Sequence, residues 1–386
     1  METNQFIKKN WANLSCSEIG EKIGLSADAV RKRGKRMGLP KKVFIQPSNK
    51  LSPKEAVKLD KEMRERQKAK NTIEQKYKLL LEENQGLREE LESSKVIKPI
   101  ETYNIPVYKS DGTNEATPVI LMSDGHFGET VEKEEVMGLN EYNPTIAEMR
   151  VNEFFRNALR IIDVLGKDIK INHAVLALLG DFINNMLFPD AQETNAMHPT
   201  KEVIFAQRMI ASGIEHLLKN SKLNLTIVCH SGNHGRTTQK PRIGGAAGHS
   251  LEYLMYHNLA YYFSKEPRVK FIIPESYLSY IKVYDMTVAF HHGEAVRYYG
   301  GIGGLTIPMN KAIASWEQGK KADYYCSGHF HQMVDGGNFV VNGSIVGYNA
   351  YAIAIKARYE RPSQVMFLLD KNRKCKTVVC PILFSK

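Results

Sequence analysis

The chain has 386 residues, 42% hydrophobic and 25% charged, with 53 Lys and Arg against 42 Asp and Glu. That composition fits a soluble protein large enough for one sizeable core with appendages, and no apolar run of about 18 residues or signal-peptide core speaks for a membrane. Five scattered cysteines without a CxxC pair argue against a disulfide framework and for a reducing, cytoplasmic setting.

The charge is uneven. Residues 1–50 carry 11 Lys and Arg against 4 Asp and Glu, so most of the net +11 sits there. A short basic segment points to a polyanionic partner. Ser15-Cys16-Ser17-Glu18 is a capping box that opens a short helix burying Ile19 and Ile23. Gly24-Leu25-Ser26 supplies a tight turn, and Ser26 caps a second helix running to Met37, with Gly38 as its left-handed cap and Pro40 as its stop. Two helices about a glycine turn predict a helix-turn-helix module over residues 1–45. Arg31, Lys32, Arg33, Lys35 and Arg36 of the second helix suit a major groove, so DNA is the expected partner. Residues 4–42 resemble homeodomain-like helix-turn-helix units of phage and bacterial proteins, and a phage-encoded chain would work in the host cytoplasm.

Residues 50–96 predict one long charged helix, opened by Ser52-Pro53-Lys54-Glu55. Met63, Ile73, Tyr77, Leu80, Leu87 and Leu91 fit the a and d positions of a heptad with Asn84 at a, the pattern of a short two-stranded coiled coil. Arg66 and Lys70 interrupt the seam, and Gly86 weakens the helix. A homodimer through this segment is expected, since pairing gives a helix-turn-helix affinity and symmetry.

Residues 100–386 form the expected main domain. Apolar runs at 118–123, 174–179, 225–229, 286–290 and 324–326 read as strands, and helices are predicted from Asn143 to about Lys167 and from Lys201 to Lys219. This alternation predicts an α/β fold, in which ligands gather at the carboxyl ends of the strands. Those ends carry Asp124-Gly125-His126, Gly180-Asp181, Gly232-Asn233-His234, His291-His292-Gly293 and Gly328-His329-Phe330-His331. Carboxylates and imidazoles in that mixture suit two divalent cations. A final pair of runs around 365–369 and 377–381 predicts a hairpin closing the sheet.

In this order the motifs resemble the calcineurin-like metallophosphoesterases, over about residues 117–345. The resemblance implies a β-sandwich flanked by helices and a two-metal centre. It places Asp124, His126 and His331 on one cation, and Asn233, His329 and His292 on the other, with Asp181 bridging and His291 in reserve. Manganese is the expected metal, with iron or zinc as alternatives. His234 would be the catalytic histidine, and Arg236 a candidate phosphate clamp. Two departures stand out: Gly235 replaces the acidic residue that usually follows Gly-Asn-His, and Asn184 and Asn185 stand where the family often has another acidic residue or Arg after Gly180-Asp181. The expected activity is phosphodiester hydrolysis, foremost as a DNA nuclease. The alternatives are a phosphatase or cyclic-nucleotide phosphodiesterase, or a non-catalytic DNA-binding regulator.

Overall fold

The computed structural model describes residues 2–41, 53–96, 112–298, 304–354 and 356–384. Ser52 of the expected capping box and most of the glycine run at 300–304 lie outside them. The chain divides into two compact units, residues 1–105 and 106–386. No described helix is long and apolar enough to cross a membrane.

In the first unit, α1 (Glu2–Asn10), α2 (Cys16–Ile23) and α3 (Ala27–Arg36) enclose a small core of Ile7, Trp11, Cys16, Ile19 and Val30. The Ser15 box is formed in full: Ser15 Oγ accepts from the Glu18 amide at 3.1 Å, and Glu18 Oε2 accepts from the Ser15 amide at 2.7 Å. Such a cap contributes about 1 kcal/mol. Gly24 takes the left-handed conformation, φ 70°, that ends α2. Helix α1 was not anticipated; it contributes Ile7 to the core, while Ile23 is only half-buried. On α3, Val30 and Gly34 face inward one turn apart, and Gly34 lies so close to the Trp11 ring that a Cβ has no room. Arg31, Lys32, Arg33, Lys35 and Arg36 are thereby left exposed. Helix α4 (Pro53–Val96) is a single 44-residue rod, about 66 Å long at 1.5 Å per residue. Its Met63, Ile73, Tyr77, Leu80 and Leu87 are 58–67% exposed.

The second unit runs β1 (Ala116–Met122), α5 (Pro144–Leu165), β2 (His173–Leu178), α6 (Pro189–Thr194), α7 (Pro199–Asn220), β3 (Asn224–Cys229), α8 (Leu251–Tyr262), β4 (Val269–Ile272), β5 (Ser279–Val283), β6 (Met286–Phe290), α9 (Thr306–Trp316), β7 (Tyr324–Ser327), β8 (Val334–Asp335), β9 (Phe339–Val341), α10 (Ala350–Ala354), β10 (Ser363–Asp370) and β11 (Cys375–Leu383). One sheet has the order β11-β10-β1-β2-β3-β4 and the other β5-β6-β7-β9-β8. Both mix parallel and antiparallel pairs, and the expected hairpin is β10–β11, on the edge of the larger sheet.

The sheets face each other across Val119, Leu121, Val175, Ala177 and Val228 on one side and Val288, Phe290, Cys326 and Val340 on the other. Alternate residues of the same strands, such as Ile120, Met122 and Leu176, turn instead to α5, α7 and α8. Both faces of β1 and β2 are covered, which is why these strands read as unbroken apolar runs. Helix α9 covers the outer face of the smaller sheet through Met309 and Ile313. The result is a layered α/β sandwich flanked by helices. Strands β1, β2 and β3 are parallel neighbours in one sheet, and β6 and β7 are parallel neighbours in the other. Parallel strands end at the same rim, so the five loops that carry the motifs leave the sandwich together.

Candidate metal centre

At that rim the backbone is unusual. Asp124, His126, Asp181, His329 and His331 all have left-handed φ, between 42° and 72°. Each such non-glycine residue costs on the order of 1–2 kcal/mol. Cross-links between the loops hold them there. The Asp124 amide donates to Gly180 O and the His126 amide to Asp181 O, both at 3.0 Å. The Gly328 amide donates to His292 O at 2.7 Å, and the His329 amide donates to both oxygens of Asp124 at 3.0 Å. Gly180, φ 91°, sits directly against the Gly232 backbone and leaves no space for a side chain.

The side chains converge as two groups sharing one rim. Ligand atoms of Asp124, His126 and His331 lie within 4.8 Å of one another, as do those of Asp181, His292 and His329. Asp181 also groups with His126 and His234, which puts it between the two sets. The donor chemistry fits a cation. His292 Nδ1 donates to Leu179 O at 2.6 Å, so Nε2 is the nitrogen left to take a cation or a proton. Nε2 faces Asp181 Oδ2 at 2.9 Å and Asn233 Oδ1 at 3.2 Å. The His126 and His331 Nε2 atoms also lie 3.2 Å apart. Imidazole nitrogens and carboxylate oxygens gathered this closely in a buried space form a donor set that a cation can bind.

The electrostatics point the same way. Burial pushes the Asp124 carboxyl up to about 7, partly offset by His292. Burial, reinforced by His234 and His331, holds His126 well below the usual imidazole range. Burial also takes His331 down to about 4 and His329 to about 3, leaving neutral imidazoles ready to donate lone pairs. His292 differs. Burial opposes its protonation, but Asp181 alongside more than reverses that, and a proton takes the place a cation would fill.

The reserve histidine stays out of the centre. His291 is fully buried against Tyr277 and Trp316, with ring centroids 5.7 and 4.8 Å away, so His292 alone of the pair joins the ligand group. Arg236 does not line the cavity. It donates to the carbonyls of Asn233 and Thr238 and lies over the Phe188 ring at 4.9 Å, so its guanidinium is tied to the loop that carries Asn233. His234 lacks an acidic neighbour at 235 but is oriented all the same: its Nδ1 donates to Asn184 O at 2.7 Å. Asn184 also meets His126 Nδ1 through Oδ1 at 3.3 Å, so it steadies two imidazoles.

Two buried carboxylates escaped the sequence reading. Glu202 accepts from the amides of Asn184 and Asn185, and Glu252 from those of Phe182 and Gly232. Both stand in the first turn of a helix, where an acidic residue ordinarily reads as a solvated partner of the helix dipole.

No protein-family model matches the chain, and no curated protein sequence matches it. Solved structures to which it is similar include an archaeal phosphodiesterase (13% identity, 68% of this chain and 99% of that one, TM-score 0.31). Others are a hypothetical protein from Pyrococcus horikoshii (13%, 70% and 89%, TM-score 0.35) and Vps29 of Entamoeba histolytica complexed with zinc (11%, 69% and 99%, TM-score 0.26). The donor set, not these likenesses, carries the functional reading.

A cavity of about 490 Å³ opens beside the ligands. His126, Asp181, Asn233, His234, His329 and His331 form its floor, and Phe188 and Tyr351 stand in its wall. Glu129, Glu135 and Glu193 also line it, and among the described residues no Lys or Arg does. Burial raises the Glu129 carboxyl to about 7, with a hydrogen bond from Asn349 opposing the shift.

Proposed function

We propose that the chain is a two-metal phosphodiesterase of the calcineurin-like type, acting as a nuclease on DNA recruited by its basic N-terminal helices. The observation that carries the first part is the convergence of His292 Nε2, Asp181 and Asn233 beside Asp124, His126 and His331. Asp124, His126 and His331 would hold one divalent cation and Asn233, His292 and His329 the other, with Asp181 between them. Mixed oxygen and nitrogen donors suit manganese, and also iron or zinc. Bound there, the cations supply Lewis-acid charge to phosphoryl oxygens and lower the pKa of a water nucleophile.

The chain's own residues do the rest. His234 lines the cavity, and Asn184 O holds its Nδ1–H. In the doubly protonated form its Nε2–H is offered to the leaving oxygen as that oxygen gains charge. Phe188 and Tyr351 give a base or other planar group a surface to stack on. The exposed Arg31, Lys32, Arg33, Lys35 and Arg36 support the DNA reading, and pairing of two chains through α4 would present two such helices to a symmetric site.

One observation favours a second reading, a phosphatase or phosphodiesterase acting on small molecules. The acidic cavity wall holds no described cation to grip phosphates flanking a scissile bond. A panel of DNA, RNA, cyclic nucleotides, phosphopeptides and bis(p-nitrophenyl) phosphate, assayed with Mn2+, separates the two. The nuclease reading expects cleavage of DNA and of the chromogenic diester, both reduced at least about 100-fold by Asp181→Asn. Full turnover by that variant would overturn the metal assignment, and hydrolysis confined to small esters would favour the second reading.

A further inference from the structure

We propose that Glu252, in the first turn of α8, is the positioning residue that locks the Asp181 and Asn233 loops together, and that residue 235 is glycine to make room for it. Glu252 is fully buried, and each of its oxygens accepts a backbone amide from a different loop. Oε1 takes the Phe182 N–H at 2.6 Å and Oε2 takes the Gly232 N–H at 2.7 Å. Phe182 directly follows Asp181, and Gly232 directly precedes Asn233. One carboxylate therefore fixes the spacing of a carboxylate ligand and an amide ligand that come from different strands. Two backbone amides held by one buried side chain fix the geometry of both loops, and ligand-orienting contacts govern metal affinity.

Gly235 supplies the complementary half of the argument. A Cβ there would meet Glu252 Oε2 at 2.8 Å and Cγ at 2.9 Å, closer than real Cβ contacts come. The Leu251 amide donates to Gly235 O at 2.8 Å, and Arg236 bridges Ser250, so the start of α8 is pinned against this stretch of chain. A carboxyl group rooted at 235 and the one rooted at 252 would occupy the same space. The chain has the acid on α8 and glycine in the loop.

This inference rests on the metal reading but is indifferent to the ester hydrolysed. Its test is Mn2+ binding by the full chain, measured by equilibrium dialysis, with far-UV circular dichroism to check the fold. Glu252→Ala is expected to weaken binding about 10- to 100-fold. Gly235→Asp alone should weaken it as well, because the new side chain collides with Glu252. The double variant Glu252→Ala/Gly235→Asp should bind more tightly than either single variant, since the loop acid then enters the vacated space. If Glu252→Ala does not fold, Glu252→Gln replaces it: the shape is kept, but an NH2 group faces one of the two amides, and binding should still fall. Unchanged binding in Glu252→Ala or Glu252→Gln, or a double variant no tighter than the singles, overturns the inference. A wild-type chain that binds neither Mn2+, Fe2+ nor Zn2+ overturns the metal reading, and this inference with it.

Discussion

His291 and His292 are adjacent and chemically identical, yet only one can face the centre. Successive residues leaving an extended strand point to opposite sides. After β6 the chain turns His291 toward Tyr277 and Trp316 and His292 toward Asp181, with Leu179 O fixing the His292 ring. Replacing His292 by Ala is expected to lower Mn2+ affinity at least about tenfold and to abolish phosphodiester hydrolysis. His291→Ala should leave Mn2+ affinity within about twofold while costing about 2–3 kcal/mol of stability, since it opens a cavity in a packed aromatic group. Calorimetry and metal titration of the two variants check this, and equal losses of affinity would put both histidines on the metals. The resemblance favoured His292 and kept His291 in reserve, but the physical choice depends on where β6 stops and what its neighbours present. Nor could the sequence reveal the left-handed backbone at Asp124, His126, Asp181, His329 and His331, which a stretch of Asp and His does not announce.

At the scale of elements, α4 poses the clearest physical problem. From Ile73 to Leu87 its apolar residues step by four, three, four and three with Asn84 in the series, and Ile73, Tyr77, Leu80 and Leu87 are more than half exposed in a single chain. A row of this kind is stabilised when a second helix covers it, and a parallel partner sets Asn84 against Asn84 and Glu83 near Arg88. The expected mass in solution is therefore twice the 43.7 kDa of one chain. Leu80→Glu with Leu87→Glu should shift it to monomer in light scattering after size exclusion, with the hydrolysis of a small diester unaltered. A wild-type chain that elutes as a monomer at micromolar concentration removes the coiled coil from consideration. Capping boxes, glycine stops and apolar periodicity made α2, α3, α4 and the motif-bearing strands legible, because those signals act within a few residues. Helix α1 lacks such signals and is placed by packing Ile7 into the small N-terminal core.

At the scale of the whole molecule, charge and chemistry sit in different parts of the chain. The first fifty residues hold most of the net positive charge, while the cavity is lined by Glu129, Glu135 and Glu193. If DNA is the substrate, its affinity comes mainly from the N-terminal helices, and that term weakens as salt rises. Deleting residues 1–45 should then lower Mn2+-dependent DNA cleavage at least about tenfold at 0.15 M salt and leave bis(p-nitrophenyl) phosphate hydrolysis unchanged. Equal DNA cleavage by the truncated chain would end the recruitment idea.

By itself the sequence determined which strands bring Asp, Asn and His residues to one rim, since apolar runs and the residues that follow them are local facts. Only the tertiary structure decided that His291 packs against Tyr277 and Trp316 while His292 meets Asp181, that Arg236 is tied to a loop, and that Glu202 and Glu252 are buried acceptors for backbone amides of the motif loops. Those outcomes depend on groups many residues apart meeting in a space of a few ångströms: Glu252 joins Phe182 to Gly232, and room for it exists only because residue 235 has no side chain.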